Sequence, residues 1–161
     1  MGLFSGKTPN VKTECSLKRF DLKRYMGHWY EIARFDNWFE RGLAQTTATY
    51  TIQPDGKIKV VNTGRTEGGK WKHSTGKARF VDPMGCPGEL EVSFFGPFYS
   101  TYNVIDLGKE YEYAVVAGKN KKYLWILSRD AKMSREKLTP ILHKLREWGY
   151  DLTKLKFVDQ G

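Results

Sequence analysis

The chain has 161 residues, enough for one domain with a sizeable core. Its formal net charge is +9, yet its lysines are dispersed and Lys119-Asn120-Lys121-Lys122 is the one tight basic cluster; with neither a basic helix nor an aromatic-basic stripe, nucleic acid is not an expected partner. Nine Tyr, nine Phe and five Trp favour strands and lined pockets, and no run approaches the roughly 20 apolar residues of a membrane-spanning helix.

Residues 1–19 read as an N-terminal arm and residues 20–161 as the domain. Met1 to Lys7 lacks a charged stretch followed by an apolar one, so no secretory leader is expected there. Phe20 to Met26 is a short amphipathic lead-in. Gly27-His28-Trp29-Tyr30 follows, and it is the most telling stretch of the chain. Gly permits a close backbone approach, and Trp carries a large apolar ring whose N–H needs a partner when buried. Together they suggest a plug at one end of an all-β core.

The runs that follow are β-rich. They are Trp29 to Phe35, Thr46 to Ile52, Lys57 to Asn62, Trp71 to Val81, Leu90 to Phe95, Thr101 to Asp106, Tyr111 to Ala117 and Tyr123 to Ser128. Turn residues separate them, among them Gln53-Pro54-Asp55-Gly56, Glu67-Gly68-Gly69 and Asp82 to Gly88. Eight short strands at regular spacing, with nothing helical between them, predict an all-β antiparallel architecture. Joined by hairpins, eight such strands close into an up-and-down barrel able to hold one small ligand.

After Arg129 the period changes. Ser134 is placed as an N-cap, and Leu138, Ile141, Leu142, Leu145 and Trp148 recur at helical spacing up to Gly149. Pro140 falls inside this segment and marks either its start or a bend. Lys154 to Val158 reads as a final strand returning to the barrel edge. The two cysteines, Cys15 and Cys86, form no CxxC pair and cannot build a zinc site alone.

Three motifs together resemble the lipocalin family: Gly27-His28-Trp29-Tyr30, Tyr111-Glu112-Tyr113-Ala114-Val115 and Trp125-Ile126-Leu127-Ser128-Arg129. The resemblance covers about residues 20 to 159. Trp29 to Phe35, Phe39-Glu40-Arg41-Gly42 and Val92 to Tyr99 resemble the bacterial lipocalins, relatives of apolipoprotein D. The resemblance implies an eight-stranded lipocalin barrel with one C-terminal helix packed outside it and a short last strand. It also implies that Arg129 lies across Trp29 at the closed end, with Gly27 beside them as a structural latch. That subfamily is associated with the outer membrane and with fatty acids and lysophospholipids. A location on the periplasmic side of the outer membrane is therefore expected, although no lipidation Cys stands at the start of this chain.

Side chains alternate in and out along a strand. With Trp29 inward, the same phase and the family's alignment place Glu31, Ala33, Tyr50, Val60, Asn62, Ala78, Val92, Phe94, Asn103, Ile105, Val116, Tyr123 and Trp125 in the cavity. Small residues such as Ala33, Gly76, Ala78 and Ala114 are expected to leave volume there. Such an apolar interior with few polar handles suits an acyl chain. The alternative is a packed core in an envelope protein. It would act through Trp38, Phe39, Phe98 and Tyr99 at the open end, against a second copy or an anionic membrane surface.

Tracing the hairpins from the closed end puts Cys15 and Cys86 at that end, so a disulfide between them is expected, and with it an oxidising compartment. Neither Cys takes an inward strand position. His28, His73 and His143 are scattered, so no catalytic group, metal site or cofactor is expected.

Overall fold

The computed structural model describes residues 15–161. The predicted arm is thus described only from Cys15, and the rest of it lies outside the described residues. A single-turn helix, α1 (Leu22–Tyr25), leads in, its N-cap Asp21 accepting from the Arg24 backbone N–H. Eight strands follow: β1 (Gly27–Phe35), β2 (Ala44–Ile52), β3 (Ile58–Arg65), β4 (Trp71–Asp82), β5 (Cys86–Phe95), β6 (Phe98–Leu107), β7 (Tyr113–Ala117) and β8 (Leu124–Ser128). Each pairs antiparallel with the next, and β1 pairs with both β2 and β8, so the sheet closes on itself. Helix α2 (Arg135–Glu147) and β9 (Leu155–Phe157) complete the chain, with β9 lying outside the barrel against Ala33 to Phe35 of β1.

The strands run longer than the alternation predicts, because several predicted loops are tight turns. The Gly96 to Ser100 connection shrinks to Gly96-Pro97, with Phe95 opposite Phe98. A register shift between Val92 and Phe95, just before this turn, changes the phase handed to β6. Leu90 points inward, and its partner Tyr102 must share that face, so β6 presents Tyr102 and Val104 to the interior. The expected inward pair, Asn103 and Ile105, faces the other way. Asn103 lies opposite Ala117 on the outer face, and Ile105 packs in the outer cluster.

β1 carries a second correction. Glu31 pairs with Leu127 but Ala33 pairs with Ile126, so Ile32 is an extra residue, a bulge. Below it, Trp29 and Glu31 share the interior face. Above it, Ala33 and Phe35 turn out under the helix and Arg34 turns in. The β1–β2 ladder stops at Tyr30 and Thr47. Beyond that point the Gln160 side chain donates to the Glu31 and Thr46 carbonyls, bridging the two strands.

Two apolar clusters result, back to back across the β1, β7 and β8 wall. The inner one holds Trp29, Ala48, Tyr50, Ile58, Val60, Ala78, Leu90, Val104, Ala114 and Val116. The outer one joins Ile32, Ala33, Phe35, Val115, Leu124 and Ile126 to Ile141 and Leu145 of α2. Ser134 caps α2 as expected, the helix runs unbroken through Pro140, and Gly149 ends it at φ +89°. Trp148, expected on the packed face, is 42% exposed.

Candidate functional site

The closed end is built around Trp29, which is fully buried. Its indole N–H donates to the Tyr25 carbonyl at 2.8 Å, so α1 serves as the floor. The Arg129 guanidinium stacks 3.7 Å from the Trp29 ring centroid and donates to the His28, Arg24 and Tyr111 carbonyls. Gly27 sits at φ +102°, a conformation that a side chain would strain, and an added Cβ would lie 3.4 Å from Arg129. Arg129 is thus held entirely by backbone carbonyls and one ring face, which is the geometry of a latch. Cys15 and Cys86 form a disulfide at this end and tie the segment before α1 to the start of β5.

Beside Trp29 stand three tyrosines, Tyr25 and Tyr50 buried and Tyr102 half-buried. The Tyr102 hydroxyl lies 2.6 Å from those of both Tyr25 and Tyr50. Three hydroxyls making two hydrogen bonds use two of their three protons. Burial, the largest cause in each case, pushes the pKa of Tyr25, Tyr50 and Tyr102 well above the ordinary tyrosine value. The folded chain therefore keeps protons that the unfolded chain releases above about pH 10, and stability must fall as pH rises past that point. Each such tyrosine adds up to about 1.4 kcal/mol of loss per pH unit. Urea midpoints between pH 8 and 11 check this. The wild-type midpoint should drop steeply above pH 10 and Tyr102→Phe should drop less; a flat wild-type profile would contradict the assignment.

The middle of the barrel is apolar. Ala48, Val60, Ala78, Val92 and Val116 face inward, with Asn62 on the same face by its pairing with Ala48. The space expected beside Gly76 is taken by the Phe94 ring, which a Cβ at Gly76 would strike at 2.6 Å.

Near the mouth lies a buried charged cluster that sequence reading did not assemble. Arg34 donates to Glu31 and to the Thr46 hydroxyl, each at 3.2 Å, and to the carbonyls of Glu40 and Leu43 at 2.9 and 3.0 Å. Thr46 in turn donates to Glu31. The Glu40 carboxylate accepts from the Trp125 indole and from Asn37. Two carboxylates thus share one guanidinium. Burial and then the nearby Glu40 push the Glu31 carboxyl well above the usual range. Through Arg34 and Glu40 the 36–43 loop is pinned over the mouth, and its Phe39 ring packs 6.2 Å from Tyr123 and 6.5 Å from Trp125. The available sequence signal was a cation, Arg34, between Ala33 and Phe35 and three residues after Glu31.

The expected cavity residues therefore divide. Glu31, Tyr50, Val60, Asn62, Ala78, Val92, Phe94, Val116, Tyr123 and Trp125 come together on the inner side, whereas Ala33, Asn103 and Ile105 do not. Among the described residues, the His, Cys, Asp and Glu side chains close enough to share a cation are Cys15, Cys86 and Glu89, and both sulfurs there are spent on the disulfide.

A family model described as a lipocalin-like domain matches residues 20–160. The chain is 48% identical to the outer membrane lipoprotein Blc of Escherichia coli (strain K12) over 147 residues, 89% of this chain and 81% of that protein. It is 30% identical to apolipoprotein D of Mus musculus over 164 residues, covering 97% and 84% of the two chains. Among solved structures, the cockroach allergen Per a 4 superposes with a TM-score of 0.73 at 23% identity, covering 92% of this chain and 93% of that one.

Proposed function

We propose that this chain, which belongs to the lipocalin family, binds and carries a small hydrophobic ligand inside its barrel, and that the ligand is a fatty acid or a lysophospholipid. One observation carries the reading. Between the tyrosine trio and the Arg34 cluster, the inner face carries a group of small apolar side chains, Ala48, Val60, Ala78, Val92 and Val116, among larger ones such as Leu90 and Phe94. An acyl chain there gains roughly 0.8 kcal/mol for each buried CH₂, which gives affinity without many polar contacts. Phe94, resting on Gly76, is the side chain that would yield to it. The unspent tyrosine proton and Asn62 offer polar contacts to an ester or carboxyl oxygen. The bacterial relatives are named as outer membrane lipoproteins, which supports a place in the cell envelope.

Trp125 reports on this. Titrating delipidated protein with dibrominated stearic acid should quench its fluorescence saturably, and Trp125→Phe should lose most of that quenching. Native mass spectrometry should then show one ligand per chain and rank the fatty acid against a lysophospholipid. An absence of saturable quenching with either class would overturn the proposal.

A further inference from the structure

The end of the barrel opposite Trp29 carries an unusual set of exposed side chains. β1 leaves the closed end, so the β1–β2, β3–β4, β5–β6 and β7–β8 connections all lie at the open end. Trp38 is 73% exposed, Phe95 75%, Phe98 76% and Trp71 52%. They come from three separate connections around one mouth, so they form a ring and not a single loose loop. Scattered exposed apolar residues need no explanation, but large aromatics gathered at one end mark a contact surface. The Trp38 ring packs edge-on against Phe39, which seals the mouth, so the ring is continuous with the site below it.

The charges on the same end decide what fits. Lys70, Lys119 and Lys122 are exposed, and none has a carboxylate within ion-pair distance among the described residues. The acidic side chains there are mostly engaged. Asp36 pairs with Arg41 and Lys156, and Glu40 is turned inward to Arg34. Glu67 and Asp159 are left without a cation among the described residues, and Asp159 is held at the start of β2, where its carbonyl accepts from the Gln45 N–H. Aromatic rings surrounded by lysines match a bilayer interface, where rings sit at headgroup depth and ammonium groups meet anionic lipid. A second copy of this end would bring the same lysines face to face, which disfavours self-association.

We propose that the open end docks onto an anionic lipid bilayer, inserting Trp38, Phe95 and Phe98 at headgroup level with Lys70, Lys119 and Lys122 on lipid phosphates. Docking so placed sets the barrel mouth against the membrane. It does not depend on what the lumen holds.

The test is flotation with vesicles of phosphatidylcholine alone and of phosphatidylcholine with one-quarter phosphatidylglycerol. Wild-type protein should bind the anionic vesicles at least tenfold better than the neutral ones and lose most of that binding at 0.5 M salt. Trp38→Ser with Phe98→Ser should lower vesicle binding tenfold or more, and Lys119→Glu with Lys122→Glu should abolish the preference for anionic lipid. All four positions are exposed, so circular dichroism and quenching of Trp125 without vesicles should be unchanged, which separates this outcome from failure of the ligand proposal. Equal binding by wild type and the serine variant, no binding by wild type, or a dimer in sedimentation that the serine variant dissolves would each overturn it.

Discussion

Replacing Arg34 with Met should cost about 3–5 kcal/mol at neutral pH, because it strands two carboxylates in a buried site. Arg34, Glu31 and Glu40 expose only 9%, 9% and 12% of their side chains. Without the guanidinium, both carboxyls must give up charge or draw in water. The sign of the pH dependence follows. A carboxyl whose folded pKa lies above its unfolded value of about 4.5 destabilises the fold as pH rises through that value. The variant's deficit should therefore shrink toward pH 4.5 and widen toward pH 7. Adding Glu31→Gln to the Met variant should recover part of the loss, since Gln matches the protonated acid. Urea unfolding at the two pH values reads this directly; a deficit of the same size at both would show that lost packing, and not stranded charge, is responsible. Hydrogen exchange should also quicken in the 36–43 loop, whose carbonyls Arg34 holds.

Trp29→Ala should lower stability by about 3–5 kcal/mol, in the range for deleting a large buried aromatic. Three losses coincide at this position. The interior loses its fully buried ring, the Tyr25 carbonyl loses its indole donor, and the Arg129 guanidinium loses the face on which it stacks. Trp29→Phe keeps a ring face and should recover much of the deficit. Arg129→Met should cost less than Trp29→Ala, because Arg129 is partly solvated and the carbonyls it releases can bind water. The order of the three urea midpoints is the check. An Arg129→Met protein as unstable as Trp29→Ala would make the cation, and not the ring, the keystone of the closed end.

The architecture was legible because turn residues punctuate eight alternating runs and a helical period follows Arg129. The interior was legible wherever pairing runs in simple register: Val60, Asn62, Ala78 and Val92 on β3 to β5 share a face with Ala48 and Tyr50. It failed on two strands, for one physical reason. Period-two reading assumes that every residue advances the pleat by one step. Ile32 breaks that in β1, and the register shift between Val92 and Phe95, just before the Gly96-Pro97 turn, resets the phase passed to β6. Ala33, Asn103 and Ile105 were lost to those two offsets. Arg34 and Glu40 were missed because their role is joint. Each alone reads as a solvated charge, and only the bulge and the inward fold of the 36–43 loop bring them together.

Closure of the sheet through β1 has a consequence for how the chain acquires its structure. β1 is the first strand made, yet its partners β8 and β9 are the last, and the latch joins Arg129 to His28 across 101 positions. Until that late stretch emerges, one edge of β1 has no ladder to complete. The early strands can zip as neighbouring hairpins, but the ring cannot shut before the chain is nearly finished. Such long-range pairing makes the closing step slow, and it leaves β1 as the edge most open to a wrong partner during synthesis.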